Sequence, residues 1–169
     1  KMTSLVSALL SVTRAEQGLS RFTLEEANLS ELVEGVCDKF RTSKNIELIA
    51  DIDNNIAINL NNTLITQLVE NLLSNADKYG RENGIINVKL YSEKDKTVLS
   101  VRDNGIGISE EDLPKIWNRF YRADASRSET EGFGLGLALV KKIAEIHSAE
   151  CVAESEIDKF TEIKIIFKN

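Results

Sequence analysis

The chain has 169 residues, 42% of them hydrophobic and 28% charged, the balance of one ordinary globular domain plus an extra element. That composition excludes a disordered chain, a collagen-like repeat and a disulfide-stapled miniprotein. With 27 acidic residues against 21 basic ones the formal charge is −6, which argues against attraction of the whole protein to nucleic acid or anionic lipid and still permits a local basic pocket.

No apolar run approaches the ~20 residues of a membrane-crossing helix, and no signal peptide is visible. Lys1 is not an initiator methionine, so the sequence is expected to be a piece of something longer. Cys37 and Cys151 show no pairing pattern, which suits two reduced core thiols in a reducing cytoplasm. The one histidine, His147, rules out a His-rich metal site and makes any His-based catalysis depend on that position.

In chain order, residues 1–20 read as a helix. Met2, Leu5, Leu9 and Val12 follow a/d heptad spacing, and Val6 and Leu10 widen the stripe. Such a helix needs a partner, and a bundle with a second copy is favoured. Residues 22–24 suggest a short strand, and Asn28 or Ser30 caps a helix to about Phe40. Strands are predicted over 46–52 and 56–58, then a strong helix over 64–79 with Leu64, Leu68, Leu72 and Ala76 on one face. Residues 85–91 and 97–102 alternate as a hairpin around Glu93–Lys96. A short helix over 110–117 contains Pro114, a glycine-opened helix spans 134–147, and strands over 151–155 and 161–167 close the chain. The pattern predicts an α+β fold: a mixed, mostly antiparallel sheet with helices on one face, preceded by an N-terminal helix.

Three segments carry chemistry. In Glu70–Tyr79, Asn71 and Asn75 lie one helical turn apart, so both amides leave one face, and Lys78 adds a cation to that side. Neutral amide oxygens can complete a Mg²⁺ shell otherwise made of water and phosphate oxygens. A solvated helix face that happens to carry two amides is the plain alternative. In Ser100–Ile108, a strand ends at Asp103 and turns through Gly105 and Gly107. The carboxylate can accept from an exocyclic amine such as adenine N6, and the glycines permit close approach; a simple Asp-Asn-Gly turn would look the same. In Gly132–Leu137, glycines lead into a helix whose exposed N–H groups suit phosphate. The spacing is neither the dinucleotide fingerprint nor a Walker A loop, and Leu135 and Leu137 are too apolar for a flexible linker.

Together and in this order, these segments resemble the catalytic, ATP-binding domain of bacterial sensor histidine kinases, over roughly residues 1–157. Asn71-Leu72-Leu73-Ser74-Asn75-Ala76 with Lys78-Tyr79 is similar to the family's N box, and Asp103–Ile108 to its G1 box. Ile116–Arg122 is similar to its F box, and Gly132–Leu137 to its G2 box. The resemblance implies a Bergerat-type two-layer α/β sandwich.

It implies Asn75 as the main Mg²⁺ ligand. Asn71 would support metal and phosphates at the position where hydrolytic relatives carry a Glu general base. An amide cannot deprotonate water, so bound ATP would be spared hydrolysis and its γ-phosphoryl kept for a protein. Lys78 would meet phosphate, Tyr79 would pack on the nucleotide, and Asp103 would bind adenine N6. Gly105 and Gly107 would admit the adenine. Gly132, Gly134, Leu135, Gly136 and Leu137 would frame the phosphates beside a lid over roughly 118–131. Arg119 and Arg122 are candidates for the γ-phosphate; charge at a helix end would look the same.

Residues 1–21 resemble the end of the second dimerisation helix, with 22–169 as the catalytic domain, a homodimer through that helix, and the phosphoacceptor histidine upstream. Transfer would then pass to an aspartate of a response-regulator receiver domain. No nucleic-acid partner is expected, and any membrane anchor would lie upstream, leaving this part cytoplasmic.

In the family a histidine followed by two glycines ends the helix after the G2 box. Here the sequence is His147-Ser148-Ala149, so His147 is read as structural rather than as a phosphoacceptor. Other departures are Asn61-Asn62 for the usual Asp-Pro, Asp158-Lys159-Phe160 without glycines, and Asp77 as an extra carboxylate near the phosphates. Two further readings stay open: a hydrolytic ATPase of the same fold, and a scaffold of the same fold that does not bind nucleotide.

Overall fold

The computed structural model describes residue 13, residues 22–123 and residues 133–168. The predicted N-terminal helix, apart from residue 13, and the boundary at residue 21 fall outside the described residues, as do Gly132 and most of the expected lid.

Among the described residues, two helices follow from apolar stripes with side-chain caps, and a third from an apolar stripe alone. Helix α1, Leu29–Lys39, buries Leu29, Val33, Val36 and Cys37. Asn28 caps it: Glu31 N–H donates to its Oδ1 (3.2 Å), and its side-chain amide donates to the Glu31 carboxylate (2.9 Å), which holds the capping side chain in place. Ser30, the other candidate cap, is instead buried, donating to the Asp53 carbonyl (2.6 Å) and accepting from Ile56 N–H (3.0 Å). Helix α2, Asn62–Tyr79, buries Leu64, Ile65, Leu68, Val69, Leu72, Leu73 and Ala76. Asn61 is its cap, accepting from Leu64 N–H at 3.1 Å, so the departure from Asp-Pro changes the capping group and keeps the cap. At its other end the Lys44 ammonium donates to the carbonyls of Lys78 (2.7 Å) and Gly80 (3.0 Å), satisfying acceptors that the helix leaves unpaired. Helix α3, Gly136–Ile146, buries Ala138, Leu139, Val140, Ile143 and Ala144.

The strands are β1 Glu25–Asn28, β2 Glu47–Ile52, β3 Ala57–Leu60, β4 Ile85–Glu93, β5 Lys96–Asp103, β6 Glu150–Glu156 and β7 Phe160–Lys168. Five form one sheet in the order β2-β4-β5-β7-β6. The β2–β4 pair is parallel, and β4–β5, β5–β7 and β6–β7 are antiparallel. Strands β1 and β3 make a separate antiparallel pair, so the expected strand at 22–24 forms three residues later. The predicted helix over 110–117 is cut to a single 3-10 turn, Leu113–Lys115. Pro114 lacks a donor and disfavours a helical residue before it.

Alternation sorts the sheet into two faces. Ile86, Val88 and Leu90 of β4, Leu99 and Val101 of β5, and Ile163, Ile165 and Phe167 of β7 are all buried and join the helix stripes in one core. This is the two-layer α+β arrangement read from the sequence. The same parity decides the position of two polar residues: Asp103 and Thr161 continue the inward rows of β5 and β7 and face each other in register. Both are buried, at 6% and 7% exposure.

Candidate functional site

The site lies where the end of α2, the end of β5 and the start of α3 converge. Asn71 is half-buried, and its Nδ2 donates to the Gln67 carbonyl at 2.8 Å. That bond fixes the amide orientation and leaves Oδ1 facing away from the helix backbone. A Cβ built on Gly136 would stand 3.1 Å from this Oδ1, so the first turn of α3 lies directly against Asn71. Among the described residues the α3 N-terminus carries no side-chain cap; backbone N–H groups and the positive end of a helix dipole suit an anion. Asn75, half-buried, follows one turn along α2. The Lys78 ammonium lies 4.8 Å from the centre of the Tyr79 ring, a cation–π pair at the same end of the helix.

Asp77 does not join this group. It lies two residues from Asn75, on nearly the opposite side of a 3.6-residue helix, and its Oδ1 accepts from Ser43 N–H at 2.8 Å. The extra carboxylate is spent on the α1–β2 loop.

Asp103 ends β5. Gly105 N–H donates to its Oδ1 at 2.9 Å. Burial pushes the carboxyl up from its ordinary 3.8 to about 6, against the opposing pull of the Gly105 and Asp103 backbone N–H groups and of Arg102. The turn that follows is pinned by close contacts only glycine permits. A Cβ on Gly105 would fall 2.1 Å from the Tyr79 carbonyl oxygen, and that same carbonyl accepts from Ile106 N–H at 3.2 Å. Gly107 has φ +71, and a Cβ there would meet the Glu156 carbonyl at 2.2 Å. The turn is therefore locked between the end of α2 and the β6–β7 hairpin.

Sequence reasoning missed the groups that complete this lock. Ile108 N–H donates to Ser155 Oγ (2.8 Å), and that hydroxyl donates to the Phe160 carbonyl (2.7 Å) and lies 2.9 Å from Thr161 Oγ1. Asp158 adopts φ +61, its N–H donates to the Ile106 carbonyl (2.8 Å), and its carbonyl accepts from Arg81 (2.7 Å). Alternation could have placed Thr161 on the inner face; its register opposite Asp103 depends on a strand pairing that local pattern does not specify.

At the third corner, Phe120 N–H donates to the Gly134 carbonyl at 2.9 Å. Gly134 has φ +67, and a Cβ there would press on the Tyr121 carbonyl at 2.7 Å. Leu135 is buried, while Gly136 and Leu137 are half-buried. Arg119 is exposed and Arg122 half-buried, both on the segment held against Gly134. The structure thus sets Asn71 against Gly136, with Asn75 one turn further along α2; at the end of α2, where Lys78 and Tyr79 lie, Gly105 abuts the Tyr79 carbonyl, and Gly107 abuts the Glu156 carbonyl of the β6–β7 hairpin.

His147 sits apart, 8% exposed. Asn61 N–H donates to its Nε2 (3.0 Å), so its Nδ1–H must donate to the Ile143 carbonyl (2.7 Å). Both ring nitrogens are engaged, and burial holds the ring below the ordinary histidine range. The imidazole ties the end of α3 to the start of α2, and no nitrogen is left for a phosphoryl group. Ser148 then takes φ +53 and Ala149 N–H returns to the Ala144 carbonyl at 2.8 Å, so the helix ends in the turn that glycine would ordinarily make.

No group of three or more His, Cys, Asp or Glu side chains that could hold a metal exists among the described residues. The donors on offer are the amide oxygens of Asn71 and Asn75. Hard neutral oxygens of this kind fit a cation that keeps most of its shell as water and phosphate. No helix among the described residues is long and apolar enough to cross a membrane.

Comparison with known proteins agrees with this geometry. The family model described as histidine kinase-, DNA gyrase B- and HSP90-like ATPase matches residues 61–169. The chain is 33% identical over 167 residues to the sensor protein RprX of Bacteroides fragilis (strain YCH46), covering 95% of this chain and 32% of that protein. In structure it is similar to a mycobacterial sensor histidine kinase, MprB, with a TM-score of 0.77 and 25% identity over 85% of this chain and 97% of that one. It is also similar to the histidine kinase ThkA in its complex with the response regulator protein TrrA, with a TM-score of 0.73 and 25% identity over 98% and 48% of the two chains. The chain spans about a third of the length of the curated relatives it matches.

Proposed function

This chain belongs to the family of histidine kinase-, DNA gyrase B- and HSP90-like ATPases as an ATP-binding catalytic domain of the histidine kinase type, and we propose that in its full-length protein it transfers the γ-phosphoryl of ATP to a histidine outside this chain. From there the group would pass to an aspartate of a response-regulator receiver domain. Residues 1–21 would belong to the dimerisation helix, and 22–169 to the catalytic domain.

The observation that carries the reading is the meeting of Asn71 Oδ1 with the uncapped start of α3 at Gly136. An anion seated on those N–H groups lies beside a neutral amide rather than a carboxylate. Asn71 cannot take a proton from water, so the residue that touches the phosphates orients and does not hydrolyse. The Asp103 carboxylate accepts from the adenine amine, with Gly105 N–H holding its other lone pairs in place. Lys78 and the α3 N-terminus supply positive field in an acidic chain. Asn75 and Asn71 would hold Mg²⁺, which when bound neutralises charge on the phosphate oxygens. Catalysis of this kind is positioning plus electrostatics.

Incubation with γ-labelled ATP tests the proposal. The nucleotide is expected to remain intact, with no label on His147. Sustained phosphate release would favour a hydrolytic ATPase instead, and label on His147 would overturn its structural assignment.

A further inference from the structure

The segment leading to Arg122 carries a hydrogen-bonded cluster around Asp112. Asp112 is held from its own side of the chain: the Ser109 hydroxyl donates to its Oδ2 (2.9 Å), its N–H donates back to Ser109 Oγ (3.2 Å), and the Lys115 ammonium stands 3.6 Å from Oδ1. The Tyr121 phenol donates to that same Oδ1. The carboxyl is correspondingly lowered and the phenol raised.

Between this clasp and Arg122 the backbone is strained. Phe120 takes φ +61, alone among the described aromatic residues in having positive φ, a conformation that costs a bulky side chain of order 1–3 kcal/mol. It persists because both flanks are fixed, Tyr121 by Asp112 and Phe120 N–H by the Gly134 carbonyl. Gly134 precedes by two residues the Gly136 that abuts Asn71. A continuous path of contacts therefore runs from Asp112 through Tyr121 and Gly134 to the proposed phosphate cradle.

We propose that Asp112 and Tyr121 are positioning residues: their hydrogen bond holds the kinked 120–122 segment against Gly134 and presents the Arg122 guanidinium to the terminal phosphate of the nucleotide. The inference rests on the ATP-binding reading above and adds the device by which the site tells a triphosphate from a diphosphate. Among the described residues the clasp's own hydrogen bonds reach none of Asp103, Gly105 and Gly107, so its loss is expected to act on ATP and spare ADP.

The test is calorimetric titration of the chain with Mg-ATP and Mg-ADP, comparing wild type with Tyr121→Phe, Asp112→Ala and Asp112→Asn. Tyr121→Phe and Asp112→Ala are expected to lower the ATP-to-ADP affinity ratio about five- to tenfold, the scale of one charge-assisted hydrogen bond to phosphate, with ADP affinity unchanged. Asp112→Asn keeps an acceptor for the phenol and is expected to restore most of the ratio. Equal loss for both nucleotides, an unchanged ratio, or a wild type that does not distinguish them would overturn the clasp while leaving ATP binding intact. A wild type that binds neither nucleotide at millimolar concentration would overturn the ATP-binding reading and the clasp with it.

Discussion

Replacing Asp103 by Asn should make the protein more stable and a poorer nucleotide binder. The carboxyl lies in the inward row of β5, 6% exposed, and burial lifts it from 3.8 to about 6. Between those values the folded chain retains a proton that the unfolded chain has released. Stability contributed by this group is therefore present below pH 3.8 and lost as pH rises through about 6. The full displacement is worth about 3 kcal/mol at neutral pH, a cost of keeping a charge in the core row. Asn keeps an acceptor for Gly105 N–H and removes the charge; allowing for its amide N–H₂, the net gain is about 1–2 kcal/mol, or about 4 °C in Tm for a domain of this size. Loss of the charged acceptor should weaken nucleotide binding by about 10- to 100-fold. Thermal melts of both proteins from pH 4 to 8, with nucleotide titration at pH 7.5, measure all three quantities. A lower Tm for Asp103→Asn, with pH curves parallel to wild type, would refute the assignment of a strained, functional carboxylate.

Two other substitutions test the framework that holds the site. Gly105→Ala puts a methyl 2.1 Å from the Tyr79 carbonyl oxygen, so the turn must leave both that carbonyl and Asp103. The expected loss is about 2–4 kcal/mol in urea unfolding, and a change below about 0.5 kcal/mol would contradict the close approach. Ser148→Gly relieves a residue at φ +53 and should stabilise by about 1 kcal/mol, raising Tm by about 2–4 °C. A fall in Tm would show that the Ser148 side chain makes a contact worth more than its strain.

Much of the fold is legible in residue pattern because the strong segments carry two signals at once. The α2 stripe from Leu64 to Ala76 has helical spacing and a capping Asn61, and the β4–β5 hairpin alternates on both sides of a polar turn. Where a single weak signal stood alone, the outcome differed. Residues 22–24 have strand-like composition, but pairing with β3 selects Glu25–Asn28. The apolar spacing after Glu110 suggests a helix that Pro114 cuts to one turn.

The candidate site follows the same division. Asn71 and Asn75 share a face by helical geometry alone, and Asp103 is inward by parity with Leu99 and Val101. That Asp77 serves Ser43, that Ser155 and Thr161 brace the turn after Asp103, and that Tyr121 reaches Asp112 all depend on contacts between segments distant in sequence or on loop geometry. No local periodicity encodes them. His147 was resolved by its partners: Asn61, itself a departure from the family pattern, supplies the N–H that occupies Nε2.

The central claim is that this chain is a nucleotide-holding catalytic domain that spares ATP from water. Calorimetric titration with Mg-ATP, run alongside a phosphate-release assay on the same sample, tests it most directly. The expected result is one nucleotide bound per chain, binding lost in Asn75→Ala, and phosphate release no faster than for ATP alone. No binding up to millimolar ATP, or steady turnover by the wild-type chain, would contradict it.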